Sequence, residues 1–392
     1  MPLTIVVLAC FGALVAVAFA RNRAFGVFLA IILAFPTWVG LALADSLGVF
    51  GSVLPGFIGL TYLHFFLILV RPRLWPWPVQ VFISWPAMWF LAAAILAWPW
   101  AIVVAFGWPA YGAWVPFVLT GAGLIQSLRS EEEVVDMCLD GLGLGPLQRA
   151  PQTLRPVPAG QRPLKIVQIT DPHLGPFMSV AKLRRICVRA VAKQPDLILV
   201  TGDLMTMQSQ NLEVVAEALA PLASYRGKVF ACHGNHDLEA RDVVTQAYAR
   251  HGIRLLVDEL VRVQTSAGPV EILGADFVWR GRDLHLQALC EAHPRRSDAL
   301  RLLLLHDPGA FQYLPEGGAD LTLSGHTHGG HMGLLSLGLP HTFISLVSKV
   351  PDHGPWSRGR DRLYVHRAQG HYGYPIRLGV PPEHSLMRVW QG

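Results

Sequence analysis

The chain has 392 residues, 52% of them hydrophobic, and a formal net charge of +5, but these averages combine two very different parts. Residues 1–128 contain only five Lys, Arg, Asp or Glu side chains, whereas residues 129–392 carry 28 basic and 26 acidic ones. The second part is therefore nearly neutral, and no stripe of Lys and Arg with interleaved aromatic residues runs through it. This distribution argues against a nucleic-acid partner and predicts a membrane-embedded part followed by a polar one.

Four apolar runs in the first part are long enough to cross the hydrocarbon core of a bilayer. They cover residues 3–20, 24–44, 47–70 and 79–128. The last run holds roughly 50 residues, about twice the length of one span, so we predict that it folds back between Trp98 and Tyr111, where Pro and Gly cluster. Residues 1–128 are thus predicted to form a transmembrane domain of five helices, with four helices as the alternative.

Arginines in the loops predict the orientation of these helices, because cytoplasmic loops accumulate Lys and Arg. Arg21 and Arg23 follow the first span, Arg71 and Arg73 follow the third, and Arg129 follows the last. With five spans all of these arginines lie on one side. The pattern then predicts a multi-pass protein of the cytoplasmic (inner) membrane whose polar part faces the cytoplasm, whereas four spans would put that part outside.

The five cysteines favour the cytoplasmic side. They are widely spaced, odd in number and include no C-x-x-C pair, so the sequence does not indicate a disulfide framework or a zinc knuckle. Cysteines of this kind are typical of small buried side chains in a reducing compartment.

The polar part begins with a predicted linker at residues 129–163, where three glutamates are followed by many Gly and Pro residues. From residue 164 onward, short β-branched or Leu-rich runs alternate with helical patterns, as in a layered α/β fold. Helices are predicted near residues 183–191, 211–223 and 241–251, the last ended by Gly252. Strands are predicted at residues 165–170, 197–201, 228–232, 271–274, 302–305, 321–324 and 362–366.

Five of these strands run directly into clusters of His, Asp or Asn. The clusters are Asp171-Pro172-His173, Gly202-Asp203, Gly234-Asn235-His236-Asp237, the single His306, and Gly325-His326-Thr327-His328-Gly329-Gly330. Because the carboxyl ends of the strands in an open α/β sheet converge on one crevice, we expect these side chains to meet there.

The chemistry of this set is that of a metal site. Imidazoles, carboxylates and one carboxamide, without a thiolate, suit divalent ions such as Mn, Fe, Zn or Mg. A carboxylate can bridge two such ions, and ions about 3.5–4 Å apart clamp a phosphoryl group and lower the pKa of a shared water. The residue types therefore predict a site for divalent metal ions, and two such ions close together would make hydroxide available at neutral pH.

In this order, the blocks D-x-H, G-D, G-N-H-D, H and G-H-T-H-G-G resemble the calcineurin-like metallophosphoesterase family. The ending G-H-T-H-G-G resembles its membrane-associated bacterial branch. The resemblance covers residues 164–391 and implies that residues 164–392 form an αββα two-sheet sandwich. It also implies two metal sites bridged by Asp203, with Asp171, His173 and His328 at one ion and Asn235, His306 and His326 at the other.

The resemblance also implies catalytic roles for His236 and Asp237. His236 would be the general acid that protonates the leaving oxygen, and Asp237 would orient its imidazole. His331 and His371 are candidates for contacts to a phosphate or a headgroup, with ordinary polar loop residues as the alternative. His64, inside a predicted span, is either a functional group or a hydrogen-bond partner of a neighbouring helix.

We therefore predict a membrane-anchored phosphohydrolase that cleaves a phosphate ester or a pyrophosphate bond. A lipid-linked substrate is attractive because the site would be held at the bilayer, and a soluble nucleotide or phosphoprotein is the alternative substrate. The alternative function is a sensor or transport protein with a regulatory, non-catalytic metal-binding domain, or a scaffold that only binds metal. Such a domain would have no need of an acid at His236.

Overall fold

The computed structural model describes residues 2–71, 73–129, 131–139, 143–150, 160, 162–206, 211–371 and 376–391. The described chain forms two compact units. One is α-helical and contains residues 2–128 and 376–378, and the other is α/β and contains the remaining described residues.

The helical unit contains the predicted apolar helices. They are α1 (Pro2–Arg21), α2 (Arg23–Leu43), α3 (Leu54–Val70), α4 (Trp77–Val79), α5 (Trp85–Ala105) and α6 (Val115–Leu128). A π-helical turn at residues 80–84 joins α4 to α5. By length and composition, three stretches could cross a membrane: Phe25–Leu43, Gly51–Val70 and Trp77–Ala105. The apolar helices at Ile5–Arg21 and Val115–Leu128 are shorter.

Glycines decide where two of these helices begin and end. The run at residues 47–70 becomes α-helical only at Leu54, after a 3-10 turn at Gly51–Val53. Gly48 has a positive φ, and Gly51 packs against the Ala44 carbonyl, where a Cβ atom would lie 1.7 Å from the oxygen. The long run at residues 79–128 is interrupted at 106–114, a segment in which Gly107 and Gly112 also have positive φ. The predicted turn in this run is confirmed, although it lies several residues later than expected because α5 accommodates Pro99.

His64 has a hydrogen-bond partner inside the helical unit. Its Nδ1 atom lies 3.1 Å from the Ser84 hydroxyl, and both side chains are buried. The contact satisfies a polar group that would be costly to bury alone. The structure therefore favours the packing interpretation of this residue.

The α/β unit contains two sheets. Its strands are β1 (Glu131–Leu139), β2 (Gln148–Arg149), β3 (Leu164–Ile169), β4 (Leu197–Thr201), β5 (Val229–Cys232), β6 (Arg254–Leu255), β7 (Glu259–Thr265), β8 (Gly268–Gly274), β9 (Leu300–Leu304), β10 (Leu321–Ser324), β11 (Gly354–Arg358), β12 (Asp361–Val365) and β13 (Glu383–Gln391). The first sheet has the order β1-β13-β3-β4-β5-β6, and the second has the order β2-β11-β12-β10-β9-β8-β7.

The two sheets pack face to face. Leu199 and Phe230 of the first sheet share one buried core with Leu302 and Leu323 of the second. The helices of this unit are α7 (Val180–Ala192), α8 (Leu212–Leu219), α9 (Arg241–Arg250), α10 (Arg282–Ala292) and α11 (Phe343–Val347). Helix α10 and a 3-10 turn at Pro308–Tyr313 contribute to a second core on the other side of the second sheet. The predicted two-sheet α/β fold is confirmed.

Part of the predicted linker is strand. Over its whole length β1 pairs in parallel with β13, and β2 pairs antiparallel with β11. Acidic residues of this segment have partners, since Glu133 pairs with Arg367 and Asp136 pairs with Arg388. Residues 131–139 and 148–149 of the predicted linker therefore belong to the two sheets. Residues 151–159 of the predicted linker lie outside the described part of the chain.

Candidate metal centre

The predicted site residues come together at the ends of five strands. In the first sheet, Asp171 follows β3, Asp203 follows β4 and Asn235 follows β5; in the second, His306 follows β9 and His326 follows β10. Strands β3, β4 and β5 are parallel neighbours, as are β9 and β10, so in each sheet the carboxyl ends point to the same edge.

Six of these residues form two compact groups. Asp171, His173 and His328 make up the first group, and Asp203, His306 and His326 make up the second. Within each group one potential ligand atom from every residue lies within 4.8 Å of the others. All six side chains are buried or nearly so, which is the arrangement expected of metal ligands and is costly for carboxylates without a cation.

Asp203 faces both groups through one oxygen atom. Its Oδ2 atom lies 3.3 Å from His306 Nε2 in its own group and 3.6 Å from His173 Nε2 in the first group. Asp171 Oδ1 is also central, at 3.3 Å from His328 Nε2 and 4.0 Å from His306 Nε2. The two groups are therefore parts of one continuous centre.

Backbone carbonyls orient three of the imidazoles. Nδ1 of His306 lies 2.7 Å from the Thr201 carbonyl oxygen, and Nδ1 of His173 and of His328 lie 3.3 Å from the carbonyls of Met205 and Gly370. A ring that donates its Nδ1–H to a carbonyl keeps the Nε2 lone pair for a metal ion, which is the usual arrangement around a ligating histidine.

Two buried polar atoms support the fit of a cation. His306 Nε2 and Asn235 Oδ1 are shielded from solvent and have no hydrogen-bond partner among the described residues. Both atoms carry lone pairs suited to a divalent ion, and buried polar atoms are normally satisfied. Nε2 atoms of His173 and His328 also lie only 3.2 Å apart, a spacing that fits two ligands of one ion. The residues present therefore fit a metal centre.

The backbone at the site adopts a conformation that is uncommon for residues other than glycine. Five of the six residues in the two groups have positive φ, namely Asp171 at 48°, His173 at 48°, Asp203 at 54°, His326 at 67° and His328 at 52°. Such left-handed conformations cost free energy, and they persist where the surrounding structure holds them. Asp and His tolerate this region better than most residues, so the turns suit the ligand types.

The charges of the centre are mutually dependent. Burial alone would raise the pKa of Asp171, but the surrounding imidazoles hold this pKa well below its usual value. Burial acts to lower the pKa of His306, yet the carboxylates of Asp203 and Asp171 raise this pKa to about 10. The field that stabilises a proton on His306 also favours a metal cation at the same place.

His236 lies beside the first group, but its partner differs from the expectation. The rings of His236 and His173 are 5.3 Å apart in an edge-to-face arrangement. His236 Nδ1 lies 3.0 Å from a carboxylate oxygen of Glu239, which is on the next helical turn. Burial acts to lower the pKa of His236, but the carboxylates of Glu239 and Asp203 raise this pKa above its ordinary value.

Asp237 has a structural contact in place of the expected one. Its carboxylate accepts hydrogen bonds from the backbone N–H groups of Asp203 at 2.8 Å, Leu204 at 2.8 Å and Gly234 at 2.9 Å. Among the described residues it makes no hydrogen bond to the His236 ring. In this structure the aspartate fastens together the loops that follow β4 and β5, and its role in orienting His236 stays a prediction. The spacing of Glu239, three residues after His236, is the sequence signal for the actual partner.

Gln369 is a further residue that the sequence analysis missed. Its side-chain oxygen accepts a hydrogen bond from the Thr170 N–H at 2.8 Å, and its amide donates to the Gln168 carbonyl at 2.9 Å. It thus fixes the end of β3 just before Asp171. Close packing continues at Gly370, where a Cβ atom would lie 2.1 Å from the Pro172 carbonyl oxygen.

The remaining histidine candidates lie near the centre with ring contacts of their own. His331 stacks on the ligand candidate His328 with ring centroids 4.8 Å apart, and His371 stacks on Phe177 at 5.7 Å. Phe277 packs against His306 and His326 from the other side. These contacts leave the phosphate-contact prediction for His331 and His371 as a prediction.

Comparisons with known proteins agree with this geometry. Residues 164–330 match the model of the calcineurin-like phosphoesterase family. The chain is 28% identical over 233 residues to phosphodiesterase YaeI of Escherichia coli, covering 58% of this chain and 82% of that protein. It is 27% identical to an uncharacterized metallophosphoesterase of Helicobacter pylori, covering 58% of this chain and 60% of that one.

One vertebrate relative is named as a transmembrane protein. The chain is 27% identical over 253 residues to a zebrafish transmembrane protein with metallophosphoesterase domain, covering 61% of this chain and 54% of the relative. The matches thus span little more than half of the zebrafish and Helicobacter proteins. Residues 164–330 of the α/β unit thus match the calcineurin-like phosphoesterase family, and the relatives of the chain are named phosphodiesterases or metallophosphoesterases.

Proposed function

We propose that this chain is a membrane-anchored phosphodiesterase whose C-terminal domain works with two divalent metal ions. The observation that carries the proposal is the position of Asp203, whose Oδ2 atom is close to histidines of both ligand groups. A carboxylate between two sets of imidazoles is suited to bridge two cations.

The ligand assignment follows the two groups. Asp171, His173 and His328 would hold one ion, and His306, His326 and the Asn235 oxygen would hold the other. The ions are Mn, Fe, Zn or Mg, since the ligands are oxygen atoms and imidazoles. Such ions, when bound, supply positive charge that polarises a phosphoryl group and lowers the pKa of a nearby water.

The protein's own contribution to the reaction is made by His236 and the ligand loops. His236 lies beside His173 and is partly exposed, so it can reach a substrate and donate a proton to the leaving oxygen. Glu239 faces Nδ1 of this ring, which leaves Nε2 as the atom that delivers the proton. The buried carboxylates and backbone turns keep the ligands in place before substrate arrives.

A phosphodiester is the substrate class that we favour, because the Escherichia coli relative is named a phosphodiesterase. Membrane anchoring is supported by three helices that are long and apolar enough to cross a bilayer and by the name of the zebrafish relative. A lipid-linked phosphate compound would bring the substrate to an enzyme held at the inner membrane, with the catalytic domain in the cytoplasm.

The test is turnover of bis(p-nitrophenyl) phosphate by the full-length protein, purified in detergent and loaded with Mn. We expect turnover that Asp203→Ala abolishes, together with loss of bound metal measured by mass spectrometry. Asp283→Ala, an exposed carboxylate on α10, is the matched control and keeps wild-type activity. Metal-loaded protein without turnover of any phosphate compound would support the regulatory, non-catalytic alternative.

Two further measurements address substrate and sidedness. Hydrolysis confined to phospholipids in micelles would support the lipid-linked substrate, whereas equal rates on water-soluble nucleotides would remove its basis. A tag fused after Gly392 should be protected from added protease in right-side-out vesicles, and digestion of the tag would overturn the cytoplasmic orientation.

A further inference from the structure

An exposed apolar loop follows the last metal-ligand cluster directly. We define the apolar loop as residues 331–348, which contain no Asp, Glu, Lys or Arg. Of the large hydrophobic residues exposed in the described part of the α/β unit, half lie in this short segment. They are Leu334, Leu337, Leu339, Phe343, Leu346 and Val347, with exposures of 42–76%. Such a concentration of exposed aliphatic side chains is unusual for a surface that faces only water.

The base of the loop is held by a regular set of hydrogen bonds. Leu334 N donates to the His341 carbonyl and Phe343 N donates to the Met332 carbonyl, each at 2.8 Å, so the two ends of the loop pair like a short hairpin. Thr342 forms a capping box with Ser345 at the start of α11. The apolar side chains are therefore presented by a defined structure.

The loop is also connected to the metal centre. The Thr342 hydroxyl donates to the buried carboxylate of Asp352 at 2.5 Å, and the Thr327 hydroxyl donates to the Asp352 carbonyl at 2.7 Å. Thr327 lies between the ligand candidates His326 and His328. Arg149 also pairs with Asp352, which makes this aspartate the common anchor of the loop and the ligand turn.

We propose that the apolar loop inserts into the interfacial layer of a lipid bilayer and holds the metal centre at the membrane surface. This inference rests on the membrane anchoring in the proposed function. Leu and Phe side chains without acidic neighbours are the residues that enter the boundary between headgroups and acyl chains. Lys349, exposed directly after the loop, supplies a cation for anionic headgroups.

The composition of the loop distinguishes a bilayer from a protein partner. Binding energy at protein–protein interfaces is concentrated in Trp, Tyr and Arg, whereas Leu is under-represented there. The apolar loop contains no Trp, Tyr or Arg, and four of its six exposed apolar residues are Leu. A bilayer accepts such a surface without shape complementarity or specific hydrogen bonds.

The test uses the full-length protein in vesicles of phosphatidylcholine and phosphatidylglycerol that contain a lipid with a diazirine on its acyl chain. After irradiation, lipid adducts are mapped by mass spectrometry. We expect adducts in peptides covering the apolar loop, reduced at least about fivefold in a Leu337→Ser/Leu346→Ser variant. A Val188→Ser/Leu284→Ser variant removes two exposed aliphatic residues elsewhere, with exposures of 51% and 69%, and should keep the loop adducts.

Two outcomes would overturn the inference. One is a loop without adducts while peptides from Phe25–Leu43 carry them, because the protein would then be in the bilayer with the loop outside it. The other is crosslinking of the loop to a second copy of the chain in place of lipid. If Phe25–Leu43 also lacks adducts, the anchoring in the proposed function fails with it. Equal thermal unfolding midpoints of both variants and wild type establish that the loop substitutions act locally.

Discussion

Replacement of Asp237 by Asn separates two roles that this residue could have. In the wild-type protein its carboxylate accepts three backbone N–H groups from the loops after β4 and β5. In Asp237→Asn only one of the two side-chain oxygens remains, and an NH2 group replaces the other. At least one backbone N–H then faces a donor and loses its acceptor. A hydrogen bond to a charged group contributes about 1.5–3 kcal/mol, and a buried donor without a partner costs about 1–3 kcal/mol. We therefore expect a loss of about 2–4 kcal/mol in the free energy of unfolding.

The same substitution should weaken the metal centre without changing the proton donor. Asp203 N is one of the three donors, so its backbone turn loosens and bound metal and turnover fall together. Glu239→Gln is the matched comparison, because it removes the carboxylate that faces His236 Nδ1. This carboxylate raises the pKa of His236, so its removal lowers that pKa. The general acid then loses its proton at lower pH, and the alkaline limb of the pH–rate profile shifts to lower pH.

The assays are chemical denaturation, metal content and the pH dependence of turnover for both variants. The reasoning would be refuted if Asp237→Asn kept wild-type stability and metal content but shifted the alkaline limb, while Glu239→Gln left the profile unchanged. That result would support Asp237 as the residue that orients His236.

Three other substitutions test the surroundings of the site. Gly370→Ala puts a Cβ atom 2.1 Å from the Pro172 carbonyl oxygen, so the metal affinity should fall. Gly143→Ala is the control, because its Cβ atom would have no neighbour within 4 Å and should leave the metal affinity unchanged. Equal metal titrations of the two variants would contradict this prediction. Burial acts to raise the pKa of Glu383, but His366 and Arg367 lower this pKa to about 2. The ionised carboxylate therefore stabilises the folded state above the ordinary carboxyl pKa, and this stabilisation is lost as the pH falls toward 2. Glu383→Gln should therefore flatten the acid unfolding curve measured by circular dichroism, and an unchanged curve would exclude the linkage. Arg301→Met leaves the buried Glu271 carboxylate unpaired and should lower the free energy of unfolding, measured with denaturant, by about 3–5 kcal/mol. The double variant Arg301→Met/Glu271→Leu should recover part of that loss, and equal losses in the two variants would argue against the buried ion pair.

The metal-ligand cluster could be predicted from sequence because its geometry follows from strand direction. The predicted strands at 197–201 and 321–324 coincide with β4 and β10, and the polar clusters after them lie where a parallel sheet puts them. The position of a side chain that directly follows a buried strand is fixed by the end of that strand. For this reason a pattern spread over some 160 residues identified groups that lie within a few ångströms.

Other features depend on contacts that a linear pattern does not contain. Strand β1 begins with three glutamates and looks like solvated chain, and its strand character depends on pairing with β13, about 250 residues later. Asp237 and Glu239 both lie near His236 in sequence, and only the three-dimensional turn determines which of the two faces its ring. The positive φ angles at Asp171 and His328 likewise result from the packed loops around them.

The pairing of β1 with β13 has a practical consequence for obtaining the catalytic domain alone. Residues 131–139 form the edge strand of the first sheet, next to β13, and Asp136 binds the Arg388 and Trp390 side chains. A version that starts at residue 164, where the family match begins, would lack β1 and would make β13 the edge strand of the sheet. The unpaired backbone donors and acceptors of β13 would then favour aggregation. A version that starts at residue 129 keeps this edge covered, so it is the boundary at which a soluble enzyme should be sought.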